Sequence, residues 1–190
     1  ELLEDSLNMQ TALPNVLAAA MAAEVDRVAF FGSGSAPEPE GIVNTSGINT
    51  VAHGAALTAW SPLISARTAI LSDNVDGVSA FVMHPRDEGT LADLTATDNQ
   101  PLNMPSVLRS IPMLTTTSVP TDGGAGSNES TIIAGQFRHL LIGMRTDLRI
   151  EVLRERYADN LQYGFLAHLR MDVAVEHPEA FCTITGITPT

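Results

Sequence analysis

From Tyr163 to Val175 the chain alternates without interruption. Tyr163, Phe165, Ala167, Leu169, Met171, Val173 and Val175 occupy every second position, and Gly164, Leu166, His168, Arg170, Asp172, Ala174 and then Glu176 fill the places between. Successive side chains of a strand point to opposite faces, so a run of period two this long requires an extended strand, straight or bent, with one face packed and one wet.

A helix of matching length stands near the other end. Leu17, Met21, Val25 and Val28 fall on one stripe at steps of four, four and three, the spacing of an amphipathic helix. Pro14 suits a first-turn position and Gly32-Ser33-Gly34 ends the run. Such a helix, from Pro14 to Phe31, is about 27 Å long at 1.5 Å per residue. Long helix and long strand can pack along each other as an elongated arm.

Between them the signals change. Ser61-Pro62, a cap followed by a first-turn proline, opens a second helix through Ile64, Thr68 and Leu71. Val78 to Met83 reads as a buried strand. His84-Pro85 opens a short third helix carrying Leu91 and Leu94, with Asp87 and Glu88 favourably placed in its first turn. Further strands are expected near Ile111 to Val119, Thr131 to Ala134, His139 to Met144 and Leu148 to Val152. Helix, strand and helix in succession give a mixed lobe, so the fold class is α+β with an α/β-like part. Thr121 to Ser130, rich in Gly, Ser and Asp, is expected to be a solvated loop and the place for disorder.

Charge narrows what such a chain can do. Ten basic and 22 acidic residues among 190 give a net charge of -12, which repels phosphate backbones and anionic lipid. Neither nucleic acid nor membrane is an expected partner. Every basic residue is Arg and no Lys occurs, which removes Schiff-base amines, P-loop lysines and isopeptide donors. Cys182, the one thiol, can make no internal disulfide and reads as a buried, inert residue. No apolar run reaches the roughly 18 residues of a membrane span, and ELLEDSLN lacks a basic signal region, so the chain is expected to be soluble and unexported. Its start at Glu1, without an initiator Met, is expected of a trimmed or truncated product of a longer gene.

The residues that carry chemistry form no catalytic pattern. Gly32 and Gly34 follow a helix, whereas nucleotide loops precede one, so they are a helix stop. His53, His84, His139, His168 and His177 show no i,i+4 pair and no acidic partner at ligand spacing, and no metal site is expected from them. His168 and His177 are expected on strand or loop surfaces. No G-x-S-x-G elbow exists, although Ser, His and Asp of a triad meet in space rather than in order, so sequence leaves that question open. Arg154, Glu155 and Arg156 suit a solvated surface or intersubunit ion pairs equally well. The expectation is therefore no catalytic residue, no cofactor-binding residue, no metal ligand and no cofactor.

Order and spacing along the whole chain resemble a known family. ELLEDS, the long helix, FFGSG and then PEGI at Pro39 to Ile42 resemble the spine helix and following turn of tailed-phage major capsid proteins, the Hong Kong phage-type capsid fold. AGQFRHLLIGMRTDLRIEVLRE, followed by the long strand to HLRMDVAVEHPEAFCTITG, resembles their closing segment, and FVMHPRDEGTLADL their axial strand and helix. The resemblance implies a peripheral domain at 1–48 and 153–190, built on spine helix and long strand, and an axial domain at 49–152. It implies a structural, non-enzymatic subunit of an icosahedral phage or prophage shell, located in the virion and assembled in the bacterial host cytoplasm. Partners would be other copies of itself, with scaffold, protease and portal proteins during assembly, and an acidic inner wall would avoid adhesion to packaged DNA.

The family's N-terminal arm and extended hairpin are expected to lie upstream of Glu1. Some members cross-link through a hairpin Lys and a strand Asn. Here no Lys exists and Asn160 has no assisting Glu, so cross-linking is not expected. The alternatives are an encapsulin-type nanocompartment shell of the same fold, enclosing a cargo enzyme, and a small α/β enzyme of unknown class. ELLEDS and PEAF favour the phage shell over the nanocompartment.

Overall fold

The computed structural model describes residues 9–96, 98–153 and 164–190. The elements in chain order are α1 (Met9–Phe31), β1 (Asn49–Ala56), α2 (Ser61–Ser72), β2 (Ala80–Met83), α3 (Pro85–Ala92), β3 (Met113–Thr115), β4 (Ser130–Gly135), β5 (Leu140–Leu153), β6 (Gly164–Val175) and β7 (Phe181–Thr188). They form a five-stranded sheet in the order β1-β7-β4-β2-β3 and a two-stranded ribbon, β5-β6. The class is α+β, as expected.

The sheet is mixed. β7 runs parallel to β1 and antiparallel to β4, while β2 runs antiparallel to β4 and parallel to β3. Its inner strands are covered on both faces, so they read as unbroken apolar runs rather than alternations. All four residues of β2 are buried, as are Ile132 to Gly135 of β4 and Phe181 to Ile184 of β7. α2 packs on β1, β7 and β4, bringing Leu63, Ala66 and Ile70 to the core with Phe81, Ile133, Phe181 and Ile184. Burying each such side chain contributes about 1.5 to 3 kcal/mol.

The helices follow local chemistry with two adjustments. α1 is already helical at Met9, so Pro14 lies inside it rather than in a first turn beginning there. Proline lacks the N–H that would bond the carbonyl of Gln10, so α1 gives up one backbone hydrogen bond in its second turn. In α2, Trp60 takes the capping position, Ser61 is helical and makes no side-chain cap, and Pro62 sits in the first turn. α3 opens as expected: the His84 ring accepts from the Arg86 N–H at 3.0 Å, and Asp87 and Glu88 occupy the first turn.

Several strands differ from the sequence expectation. The two strands expected at His139 to Met144 and Leu148 to Val152 are one, β5, carried through by register shifts between Met144 and Arg149. The strand expected across Ile111 to Val119 shrinks to the three residues of β3. β1 and β7 were not anticipated as strands. The expected disordered loop closes on itself, with Gly123 and Glu129 exchanging both backbone hydrogen bonds at 2.9 and 3.0 Å.

Candidate functional site

The long helix and the ribbon share a groove. Leu17, Met21 and Val25 of the α1 stripe are half-buried and Val28 is buried, while Val16 on another face is 64% exposed. Met21, Val25 and Val28 line a groove of about 540 Å³ together with Leu169, Met171, Pro37 and Pro39, with Glu24, Glu38 and Arg170 also among its lining residues. Among the described residues, helix and strand approach each other only here, at Met21 to Val28 and Leu169 to Met171, rather than packing along their matched lengths.

The turn after α1 holds the prolines there. Gly32 donates to Val28 O at 2.8 Å and Gly41 to Gly32 O at 3.0 Å, while the Asn44 amide donates to Gly32 O at 2.8 Å. A Cβ at Gly32 would strike the carbonyl oxygens of Pro39 and Val28, and one at Gly41 would strike the backbone of Gly32 and Phe30. Only glycine permits so close a return. The Gly32-Ser33-Gly34 segment is a helix stop, with Gly34 at φ +71°.

Arg27 locks helix to turn. Its guanidinium reaches Glu24 at 2.6 Å and Glu38 at 2.7 Å. The hydrogen bond from Arg27 holds both carboxyls below the usual range, and Glu38 is lowered further by the Ser33 N–H. These groups are largely exposed, so the clamp orients the turn more than it stabilises the fold.

On the ribbon, Ile142 faces Val173 and Met144 faces Met171 in direct register, and Leu141 faces Ala174. Val173 is buried, yet Leu141, Ile142, Met144 and Leu166 remain about half exposed. A two-stranded ribbon is marginal in water by itself. One that also displays large apolar side chains, Ile142 and Met144 on one face and Leu141 and Leu166 on the other, carries the mark of surface meant to be covered.

Among the described residues, the gathering of catalytic residue types in the core is structural. Ser130 Oγ donates to Asp87 Oδ2 at 2.6 Å, and the Arg86 guanidinium donates to Asp87 Oδ1 at 3.2 Å, Ser130 Oγ at 2.8 Å and Ile187 O at 3.3 Å. Ser130 and Asp87 are buried at 2% and 1% exposure. The serine proton is committed to a carboxylate, an oxygen lone pair to the guanidinium, and the His84 ring to the α3 cap, so no base reaches the hydroxyl as a nucleophile requires. The network ties α3 to β4 and β7.

The other singled-out residues fall as follows. His53 contacts Ala56 O through Nε2, and His139 Nδ1 contacts Glu176 at 3.2 Å, an acidic partner that spacing did not reveal. His168 is half-buried on β6, and its Nδ1 is buried with no hydrogen-bond partner among the described residues, rather than lying on an open strand face. His177 is half-buried beside His139. Among the described residues no three metal-ligating side chains converge, and no helix is long and apolar enough to cross a membrane. Burial pushes the Cys182 thiol up to about 11, which keeps it protonated and unreactive near neutrality. Arg154, Glu155, Arg156 and Asn160 lie outside the described residues.

Comparison with known proteins supplies the context for this geometry. The model of the Phage capsid family matches residues 1–186. No curated protein matches the sequence. Among solved structures the chain is similar to the capsid of an empty GTA particle, with TM-score 0.76, 21% identity and coverage of 98% of this chain and 69% of that one. It is similar to a structure from Gordonia phage Cozz, with TM-score 0.73, 17% identity and coverage of 96% and 65%. It is also similar to the holo-SrpI encapsulin complex from Synechococcus elongatus PCC 7942, with TM-score 0.69, 15% identity and coverage of 97% and 68%. The chain thus spans about two thirds of the length of these structures.

Identities this low establish a common fold, and that fold serves both capsids and an encapsulin. The family match, covering the chain from its first residue nearly to its last, shows that the chain belongs to the Phage capsid family and is a structural subunit of a capsid shell.

Proposed function

We propose that this chain is the shell-forming part of an icosahedral phage or prophage capsid, closing around a genome through many copies of itself and performing no chemistry. The observation that carries the reading is the half-exposed apolar pair Ile142 and Met144, on the ribbon face whose Met171 and Leu169 line the groove beside α1. In a closed shell each copy presents such a pair, so modest contacts sum over a symmetric assembly. The peripheral part would comprise α1 and the β5–β6 ribbon, and the axial part the five-stranded sheet. This division departs from the expected 1–48 and 153–190 against 49–152 in two places: residues 140–152 go with the peripheral part, because β5 pairs with β6, and residues 181–188 with the axial part, because β7 is hydrogen-bonded between β1 and β4. The charge of -12 suits a wall that encloses DNA without adhering to it. Scaffold, protease and portal proteins are the further partners such assembly would call on in the host cytoplasm.

An encapsulin-type compartment is the second reading, favoured by the likeness to the Synechococcus complex. Electron microscopy of the purified chain, beside the same gene extended upstream, tests both. Shells or capsomer rings support a coat subunit, and nucleic acid rather than protein cargo inside particles made in cells supports the phage reading. Compact monomers from both proteins over a range of salt and concentration would refute it.

A further inference from the structure

The ribbon joins the sheet through two adjacent crossings, residues 136–139 going out and 176–180 coming back. They are tied by Glu176 N–H to His139 O at 2.9 Å and Gln136 N–H to Ala180 O at 3.0 Å. Phe137, in the outgoing crossing, stacks edge-on against Phe30 of α1 and Phe181 of β7. Whatever sets the geometry here sets the angle of the ribbon to the sheet.

A polar cluster sits across these crossings. His139 Nδ1 lies 3.2 Å from Glu176 Oε2, and Arg138 Nε donates to His139 Nε2 at 3.3 Å. Arg138 Nη2 in turn donates to Asp76 Oδ2 at 2.6 Å, anchoring the turn before β2. The His177 ring stands edge-on to His139 at 5.7 Å. These are the charged and titratable groups facing His139 among the described residues: Arg138 from its own turn, Glu176 and His177 from the returning crossing, and Asp76 through Arg138.

Donor and acceptor roles then fix the ring's state. An arginine Nε–H only donates, so Nε2 must offer a lone pair; an ionised carboxylate only accepts, so Nδ1 must carry the proton. The neutral Nδ1–H tautomer satisfies both partners. An imidazolium would aim an Nε2–H at the Arg138 Nε–H, donor against donor and cation against cation, while keeping Glu176.

We propose that His139 is a proton-operated catch: neutral, its ring bridges Arg138 and Glu176, and protonated, it keeps Glu176 and releases Arg138. Histidine is the side chain suited to such a step between about pH 5 and pH 8.

The test is NMR of the full chain through an acid titration. The imidazole nitrogens should report the Nδ1–H tautomer of His139 near pH 8. The Arg138 Nε–H resonance should move with the same midpoint as His139, and its exchange, relative to that of Arg27 Nε–H, should rise about fivefold, the ordinary net worth of one hydrogen bond. Arg27 is the internal reference because its partners Glu24 and Glu38, held below the ordinary glutamate range, stay ionised between about pH 8 and pH 5. In H139Q, whose amide can accept from Arg138 and donate to Glu176 without titrating, this response should vanish while the backbone spectrum at neutral pH is kept. An Nε2–H tautomer, or an Arg138 signal indifferent to His139 protonation in the wild-type chain, overturns the catch. Particle formation near pH 8 is scored separately, and its failure counts against the shell reading alone.

Discussion

Asp87 offers the sharpest test of the buried network, because the same residues would carry a reaction if the chain were an enzyme. Replacing Asp87 with Ala removes the acceptor of Ser130 Oγ and of Arg86 Nε. The Ser130 bond is short and fully buried, and a hydrogen bond to a charged group in that setting is worth about 1.5 to 3 kcal/mol. The Arg86 contact is longer and its side chain 26% exposed, which places it near the surface-pair value of about 0.5 kcal/mol. Asp87→Ala should therefore cost about 3 kcal/mol. In a chain of this size that lowers Tm by about 6 to 12 °C.

Ser130→Ala should cost about 2 kcal/mol, since it strands one carboxylate oxygen in the core. Because the two substitutions remove the same bond, the double variant should cost about 3 kcal/mol rather than about 5, a coupling of about 2 kcal/mol. Urea unfolding followed by far-UV circular dichroism at neutral pH measures all three. A cost below about 0.5 kcal/mol for Asp87→Ala, or a double variant that is simply additive, would refute the structural account of the network.

Three further outcomes are expected. Changing Ile142 and Met144 together to Thr should leave the urea midpoint, read by circular dichroism, nearly unchanged but raise the concentration needed for particle assembly, read by sedimentation velocity, about 30-fold, from about 1 kcal/mol of lost burial per side chain at a contact. Gly41→Ala should lower stability by about 1 to 3 kcal/mol, because its Cβ meets backbone rather than a movable side chain, which a thermal melt will register. Glu24 and Glu38 have lowered folded-state values, so the stability they add is present above about pH 4.3, the ordinary glutamate value, and is lost as pH falls through the folded value. The double Gln variant should accordingly show a flatter loss of stability with acid over that window, seen as a smaller shift of the urea midpoint.

The elements legible in the sequence were those whose surroundings are one-sided. β6 and α1 each pack one face and wet the other, so period two and the 3.6 stripe stood out, and His84-Pro85 announced α3 through cap chemistry. β7 escaped notice because Phe181 to Ile184 are buried on both faces, which erases alternation. β1 escaped because Ala and Gly dominate it and a shift of register interrupts it near Gly54, at φ +65°. β5 looked divided because Arg145-Thr146-Asp147 resembles a turn, although Ile142, Met144, Leu148 and Ile150 keep one phase across it.

Of the surface itself, the groove was half visible, since the Met21 stripe and the Leu169 strand could each be read but not their meeting. The polar clusters were invisible: Asp87 and Ser130 stand 43 residues apart and His139 and Glu176 stand 37 apart. No local pattern encodes pairs that only the sheet brings together.

The chain leaves the sheet after Gly135 and re-enters it at Phe181, and those two residues are direct partners across one rung. Everything from 136 to 180 is therefore an excursion whose two feet stand side by side. Adding or removing two residues from each of its strands would preserve which face every side chain presents, and the register of β4 on β7 would be untouched. Descendants of this chain could lengthen or shorten their outer reach, as a tailor lets out a sleeve, while inheriting the same folded shoulder.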